Sequence, residues 1–226
     1  MAKKFGVRSL LCLAILALAS VAAFAGQSTK DGVIIINGGK EAVATHVQTP
    51  FHATNPNSTK LKTIYSNLGT GTSVYNPGSG WTVCGPNSGI CTQWVAIPFT
   101  PKARALVTKI SAAVGWFTGT KEVVISLNQD SGGKPGKAIH KWHFKNMETF
   151  GQCCNLDTVK SKTGLAVRKG KQYWVVASTD TTDADIGAAW NFTFNNAQGT
   201  YAWSTDLGTT WNTATGSLSA LGVFGQ

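Results

Sequence analysis

Between Gly119 and Gly136 the chain alternates in a two-residue period: Val123, Ile125 and Leu127 fall on one side, and Val124, Ser126 and Asn128 on the other. That is the pattern of a strand with one face turned to a core. Glycine-rich stretches, Gly115 to Thr120 and Asp130 to Gly136, close it at both ends. From Leu61 onward the same signature recurs at residues 63–67, 81–84, 93–100, 105–116, 122–128, 138–144, 156–159, 172–179, 188–194, 200–204 and 218–224. Glycine, proline, asparagine or aspartate separates nearly all of these segments, and no helix-period segment follows the first 25 residues. Short strands at this spacing predict an all-β domain, an antiparallel β-sandwich of jelly-roll type with about eight to ten strands.

The first 25 residues carry a different pattern. Lys3, Lys4 and Arg8 precede an apolar run from Leu10 to Ala23, and Ala23-Phe24-Ala25 is a small-x-small cleavage site. This reads as a secretory signal peptide over 1–25, cut before Gly26, because the apolar run is shorter than a membrane span requires. Residues 26–60 show little periodicity beyond Val33 to Ile36 and read as an N-terminal extension or linker. Residues 61–226 then form one sandwich domain, large enough for a single core. The expected location is secreted or extracytoplasmic, in a bacterial envelope or outside the cell.

Charge changes this picture only modestly. The chain has 20 basic and 10 acidic residues, a formal charge of +10, and three of the basic residues lie in the leader. The remaining lysines are spread along the sequence, and the densest cluster, Arg168, Lys169 and Lys171, surrounds Gly170 in a hairpin turn. Export argues against nucleic acid as a partner and leaves an extracellular polysaccharide or an envelope polymer.

Several motifs in order, Gly80-Trp81-Thr82-Val83, Pro98-Phe99-Thr100-Pro101, Gly115-Trp116, the Asp130 to Gly136 loop, Phe150-Gly151-Gln152-Cys153-Cys154, Tyr173-Trp174-Val175-Val176-Ala177 and Ala188-Ala189-Trp190-Asn191-Phe192, run from about Tyr65 to Phe224. Over that range the chain resembles the bacterial secreted modules called choice-of-anchor R domains. The resemblance implies an extracellular β-sandwich without an established activity, often attached to an envelope through a separate sorting signal. Here the last predicted strand is followed by Gly225 and Gln226, with no sortase-type motif or apolar tail, a departure from that pattern which leaves the mode of attachment open.

Removal of Cys12 with the leader leaves Cys84, Cys91, Cys153 and Cys154, an even set that reads as disulfides in an exported protein. Pairing Cys84 with Cys91 closes a short turn and stabilises by roughly 2.5 kcal/mol through loop entropy, against about 4.4 kcal/mol for a bridge reaching Cys153 or Cys154. Adjacent side chains on a strand point to opposite faces, however, so Cys153 and Cys154 cannot both join one hairpin without a bulge between them. The expected pair is Cys84 with Cys91, leaving Cys153 and Cys154 as a vicinal pair or as thiols.

No nucleophile elbow, zinc-protease helix, phosphate loop or dinucleotide fingerprint occurs, and no cofactor is expected. The best carboxylate pair for glycan hydrolysis is Glu122 with Glu148. His140 and His143 stand three apart on a predicted strand, pointing to opposite faces, which does not suit one metal ion. Asp180, Asp183 and Asp185 offer oxygen ligands for calcium on a loop, or a plain acidic turn. The richest material is aromatic. Of the eight tryptophans, Trp94 and Trp174 sit among apolar residues and read as core, whereas Trp203 and Trp211 flank a polar hairpin containing Asp206. Exposed indoles stack on sugar rings, and a neighbouring asparagine or aspartate reads hydroxyls, so Trp190, Asn191, Trp203, Asp206 and Trp211 are the candidate ligand-binding residues. Three functions stay open: a non-catalytic module binding a glycan or other surface polymer, a purely structural or adhesive protein, and a glycan hydrolase.

Overall fold

The computed structural model describes residues 27–30, 33–37, 61–179 and 185–226. Fifteen strands occur among the described residues: β1 (Gln27–Lys30), β2 (Val33–Asn37), β3 (Lys62–Ser66), β4 (Ser79–Cys84), β5 (Trp94–Phe99), β6 (Ala105–Ala112), β7 (Val114–Thr118), β8 (Glu122–Asp130), β9 (Pro135–Lys145), β10 (Asp157–Val167), β11 (Tyr173–Ser178), β12 (Gly187–Asn191), β13 (Gln198–Ser204), β14 (Asn212–Ser217) and β15 (Leu221–Gly225). No helix occurs among the described residues. The strands form three open sheets in the orders β1-β2-β4-β12-β7, β10-β6-β15-β3 and β14-β13-β5-β11-β8-β9.

The all-β sandwich expected from the alternation is what forms. Val123, Ile125 and Leu127 of β8, Val95, Ile97 and Phe99 of β5, and Tyr201 and Trp203 of β13 turn one face of the six-stranded sheet inward. Against them pack Trp81, Val83, Val114 and Trp190 from the five-stranded sheet, and Val107, Ile110, Leu221 and Val223 from the four-stranded one. The two smaller sheets join at Ala113: its N–H donates to Ala220 O at 3.3 Å, its carbonyl accepts from Asn191 N at 2.8 Å, and Ala220 N donates to Asn191 O at 2.8 Å. One apolar cluster is thereby closed between the six-stranded sheet and the other two.

Where sequence and structure differ, local polarity explains the difference. Residues 105–116 read as one strand but are two, β6 and β7, interrupted at Ala113 where the chain passes from one sheet to the next. β10 runs well past residue 159, since Lys160 to Gly164 carry no alternation and include a register shift between Lys160 and Leu165. Gly164 stands at that shift with φ +72°, and a Cβ there would come within 2.9 Å of Leu106 Cβ, so glycine is required. β14 is a threonine-rich sheet edge whose residues are not buried, and hydropathy gives it no signal. The backbone at Val33–Asn37 pairs with β4, placing part of the N-terminal segment in the five-stranded sheet.

Candidate functional site

The outward face of the six-stranded sheet is the site the fold builds. Registers place Thr213, Ala202, Ala96, Val176, Ser126 and Lys141 opposite one another on six successive strands, from β14 across to β9. All six side chains share a face because cross-strand partners do. The middle of this row, Ala202, Ala96, Val176 and Ser126, is buried at 0 to 3 % exposure, and rings lie on either side. Trp174 lies on one flank, paired in register with Pro98 and Asn128. Trp94, opposite Ser204, lies on the other flank, and Trp211 directly precedes β14. Ala96, Trp174, Val176 and Ala202 form a small apolar cluster with Trp211 packed on it, separate from the main core.

Trp174 and Trp94 are tied down by hydrogen bonds, and Trp211 is held by packing. Trp174 is fully buried, and its Nε1–H donates to Asp130 Oδ1 at 2.8 Å. Trp94 donates to Thr179 Oγ1 at 3.0 Å, and Gly208, at φ +81°, lies so close that a Cβ would meet the Trp94 ring at 2.5 Å. Trp94 and Trp211 are half-buried. The loop between Ser204 and Trp211 is organised by Asp206. Its Oδ1 accepts from Ser204 Oγ at 2.7 Å and Thr210 N at 2.9 Å, and its Oδ2 accepts from the Thr210 hydroxyl at 2.6 Å. These bonds, the Thr210 hydroxyl foremost, hold its carboxyl down to about 2.

This arrangement corrects the surface expected from sequence. Trp190 is completely buried and donates to Ala220 O at 2.9 Å. Asn191 is 2 % exposed, its side-chain amide donating to the carbonyls of Asn76 and Pro77 at 3.0 Å each. Trp203 is 7 % exposed and packs beside Tyr201 with ring centroids 5.5 Å apart. Strand parity on β12 and β13 turns Trp190 and Trp203 into the core, while Asn191, on the opposite side of β12 from Trp190, is buried against the Asn76 and Pro77 carbonyls. Trp211 does reach the outer face, and Asp206 shapes its loop. Trp94, which sequence reasoning assigned to the core, lies on that face instead. β5 is apolar on both sides, so alternation could not reveal its parity; the run of small residues facing tryptophans was the available signal.

The remaining candidates are dispersed. Glu122 accepts from His143 Nδ1 at 2.6 Å when that ring is protonated there, and stands 3.3 Å from Lys145 Nζ. Glu148 accepts from Tyr75 OH at 3.1 Å, Asn155 N at 3.0 Å and Asn155 Nδ2 at 3.1 Å. Buried Asp157 lies near it, its carboxyl pushed up to about 8 by burial and by the Glu148 charge. The same surroundings, burial first, raise the Tyr75 phenol. His140 meets Trp142 edge-on, while His143 faces outward across from Val124. Asp180 and Asp183 lie outside the described residues; Asp185 Oδ1 accepts from Thr120 N at 3.3 Å. Among the described residues no group of three or more His, Cys, Asp or Glu side chains could hold a metal ion.

Cys84 and Cys91 are joined, with Cα atoms 5.7 Å apart, closing the turn that carries the chain from β4 to β5. Cys153 and Cys154 are joined to each other across a cis peptide, with Cα atoms 3.0 Å apart. No helix among the described residues is long and apolar enough to cross a membrane. No protein-family profile, curated protein or solved structure matches this chain.

Proposed function

We propose that this protein is an exported, non-catalytic β-sandwich module that binds an extracellular polysaccharide or another envelope polymer on the outer face of its six-stranded sheet. The observation that carries this reading is the pair of half-buried indoles, Trp94 and Trp211, on one flank of the outer face of the six-stranded sheet. Rings held by a hydrogen bond, as Trp94 is, or by packing, as Trp211 is, offer a flat apolar surface at little entropic cost, which suits the C–H face of a sugar. The leader-like first 25 residues, the motif resemblance to choice-of-anchor R modules and the two disulfides support export. Binding of the protein to a panel of immobilised polysaccharides, with Trp211→Ala as comparison, tests the reading. Loss of retention in the variant is expected; equal retention, or none for the native protein, would sink it.

A second reading, a purely structural or adhesive protein, is favoured by the burial of Trp81, Trp174, Trp190 and Trp203. Acrylamide quenching separates the two. A fluorescence component accessible to acrylamide and lost in Trp211→Ala is expected for the binding module, and uniform protection for the structural protein.

A further inference from the structure

Basic residues that are scattered in the sequence meet at one end of the sandwich. The β5–β6 turn carries Lys102 and Arg104, the β10–β11 turn carries Arg168, Lys169 and Lys171, and the β8–β9 turn carries Lys134; all six are exposed. Two hydrogen bonds hold the three turns together. Gly170 N donates to Pro101 O at 3.0 Å, and Gln172 Nε2 donates to Asp130 Oδ1 at 2.9 Å. Ala105 pairs in register with Val167, so the adjoining Arg104 and Arg168 leave the four-stranded sheet side by side. Among the described residues the acidic side chains are Glu122, Asp130, Glu148, Asp157, Asp185 and Asp206, and only Asp130 lies at this end. Its oxygens already accept from Trp174 Nε1, Gln172 Nε2 and Gly133 N. None of the six basic residues makes an ion pair among the described residues. Their mutual repulsion is thus left for an anion from outside the chain to offset.

The spread of these charges suits a chain molecule. Neighbouring strands lie about 4.8 Å apart, and the turns meet the six-stranded sheet at β5, β11 and β8–β9, so they span roughly 10 to 15 Å. One small anion would reach a single turn; a polymer with an oxyanion on each unit reaches all three. Carboxylate and sulfate groups match the planar forks of Arg104 and Arg168, with the lysines beside them as point charges. Apart from buried Pro101 the turns contain no bulky apolar residue, so they offer nothing for a bilayer to take up. They also present no ring on which an unpaired base could stack. We infer that this end of the sandwich binds an acidic polysaccharide through Arg104, Arg168 and the lysines of the three turns. The surface is separate from the indoles: Trp94 opens β5 opposite Ser204, and Trp211 precedes β14, both at the other end of these strands. The inference therefore stands without the indole-based reading and adds a second surface to it.

The test is calorimetric titration of the full chain with size-fractionated oligogalacturonate, heparin oligosaccharides, neutral cello-oligosaccharides and a DNA duplex, in low and moderate salt. Acidic oligosaccharides are expected to bind, more tightly with length until the three turns are spanned, and more weakly as salt rises. Arg104→Gln with Arg168→Gln should weaken them about tenfold, a loss suited to two solvent-exposed charge contacts. Arg104→Lys with Arg168→Lys keeps the charge and should retain most of the affinity. Lys141→Gln with Lys145→Gln removes the same charge from β9, away from the turns, and should change affinity by less than about twofold. Both arginines are exposed and the Gly170 to Pro101 bond is made by backbone, so the glutamine pair should keep its melting temperature. Equal weakening by the arginine and lysine pairs would trace binding to net charge and overturn the assigned surface. Neutral oligosaccharides bound as tightly as acidic ones, indifferent to the arginine pair, would overturn it and leave the indole reading standing. DNA bound in preference to every acidic oligosaccharide would overturn the choice of partner. Absence of acidic oligosaccharide binding in low salt would overturn the inference outright, while any binding of the neutral series would then report the indole surface alone.

Discussion

Trp174 donates its indole N–H to Asp130 Oδ1 at 2.8 Å, and this bond fixes the fully buried ring at one flank of the small-residue row. The same carboxylate accepts from Gln172 Nε2 at 2.9 Å and from Gly133 N at 3.1 Å. One side chain thus joins the end of β8, the turn after it and the start of β11.

Asp130→Ala should therefore lower stability by about 1 to 3 kcal/mol, the cost of leaving a buried N–H without an acceptor. Burial works to raise the Asp130 carboxyl, but the hydrogen bonds, Trp174 first, outweigh it and hold it below its ordinary 3.8. The stabilisation is complete above that ordinary value and is lost as pH falls through the folded-state value. Urea denaturation at pH 7 and at pH 3 checks this: the gap between native protein and variant should narrow on acidification.

Asp157 acts in the opposite direction and in a different window. In the unfolded chain it gives up its proton near 3.8, while in the folded protein burial and Glu148 keep it protonated to about 8. Between those values folding takes up a proton, so stability falls as pH rises, by up to about 1.4 kcal/mol per pH unit. Asp157→Asn should remove most of that slope between pH 5 and pH 8, as followed by the thermal midpoint. An unchanged slope in the variant would show that another group controls it.

These effects mark how much was readable beforehand. Alternation at Val123 to Asn128 predicts strand, face and core partners, because there one side is apolar and the other is mixed. At Trp94 to Phe99 both sides are apolar, and the outward tryptophan was indistinguishable from its inward neighbours. Trp203 misled for the opposite reason: polar Ser204, Thr205 and Asp206 follow it, yet β13 turns the ring inward beside Tyr201.

The Cys84–Cys91 bond matched its expectation, since the turn it closes is short and Cys84 is fully buried at the end of β4. Replacing both cysteines by serine should cost roughly 2.5 kcal/mol from loop entropy, plus the cost of placing a hydroxyl at the buried Cys84 position. Chemical denaturation of the double variant measures the sum. A loss well below 2 kcal/mol would show that the unfolded turn is already constrained.

The two tryptophans that bracket the β13–β14 turn should separate cleanly. Trp203 is 7 % exposed and packed in the main core, so Trp203→Ala should cost about 3 to 5 kcal/mol and lower the thermal midpoint sharply. Trp211 is half-buried over Ala96, Val176 and Ala202, and only part of its area is withdrawn from water. Trp211→Ala should therefore cost about 1 to 2 kcal/mol by area, while removing one of the two indoles offered to a ligand. Measured together, midpoint and polymer retention give each residue a distinct signature: Trp203→Ala large in the first, Trp211→Ala large in the second. Equal destabilisation by both, with retention unaffected by Trp211→Ala, would make the ring a cover for the sheet and leave the outer face without a binding role.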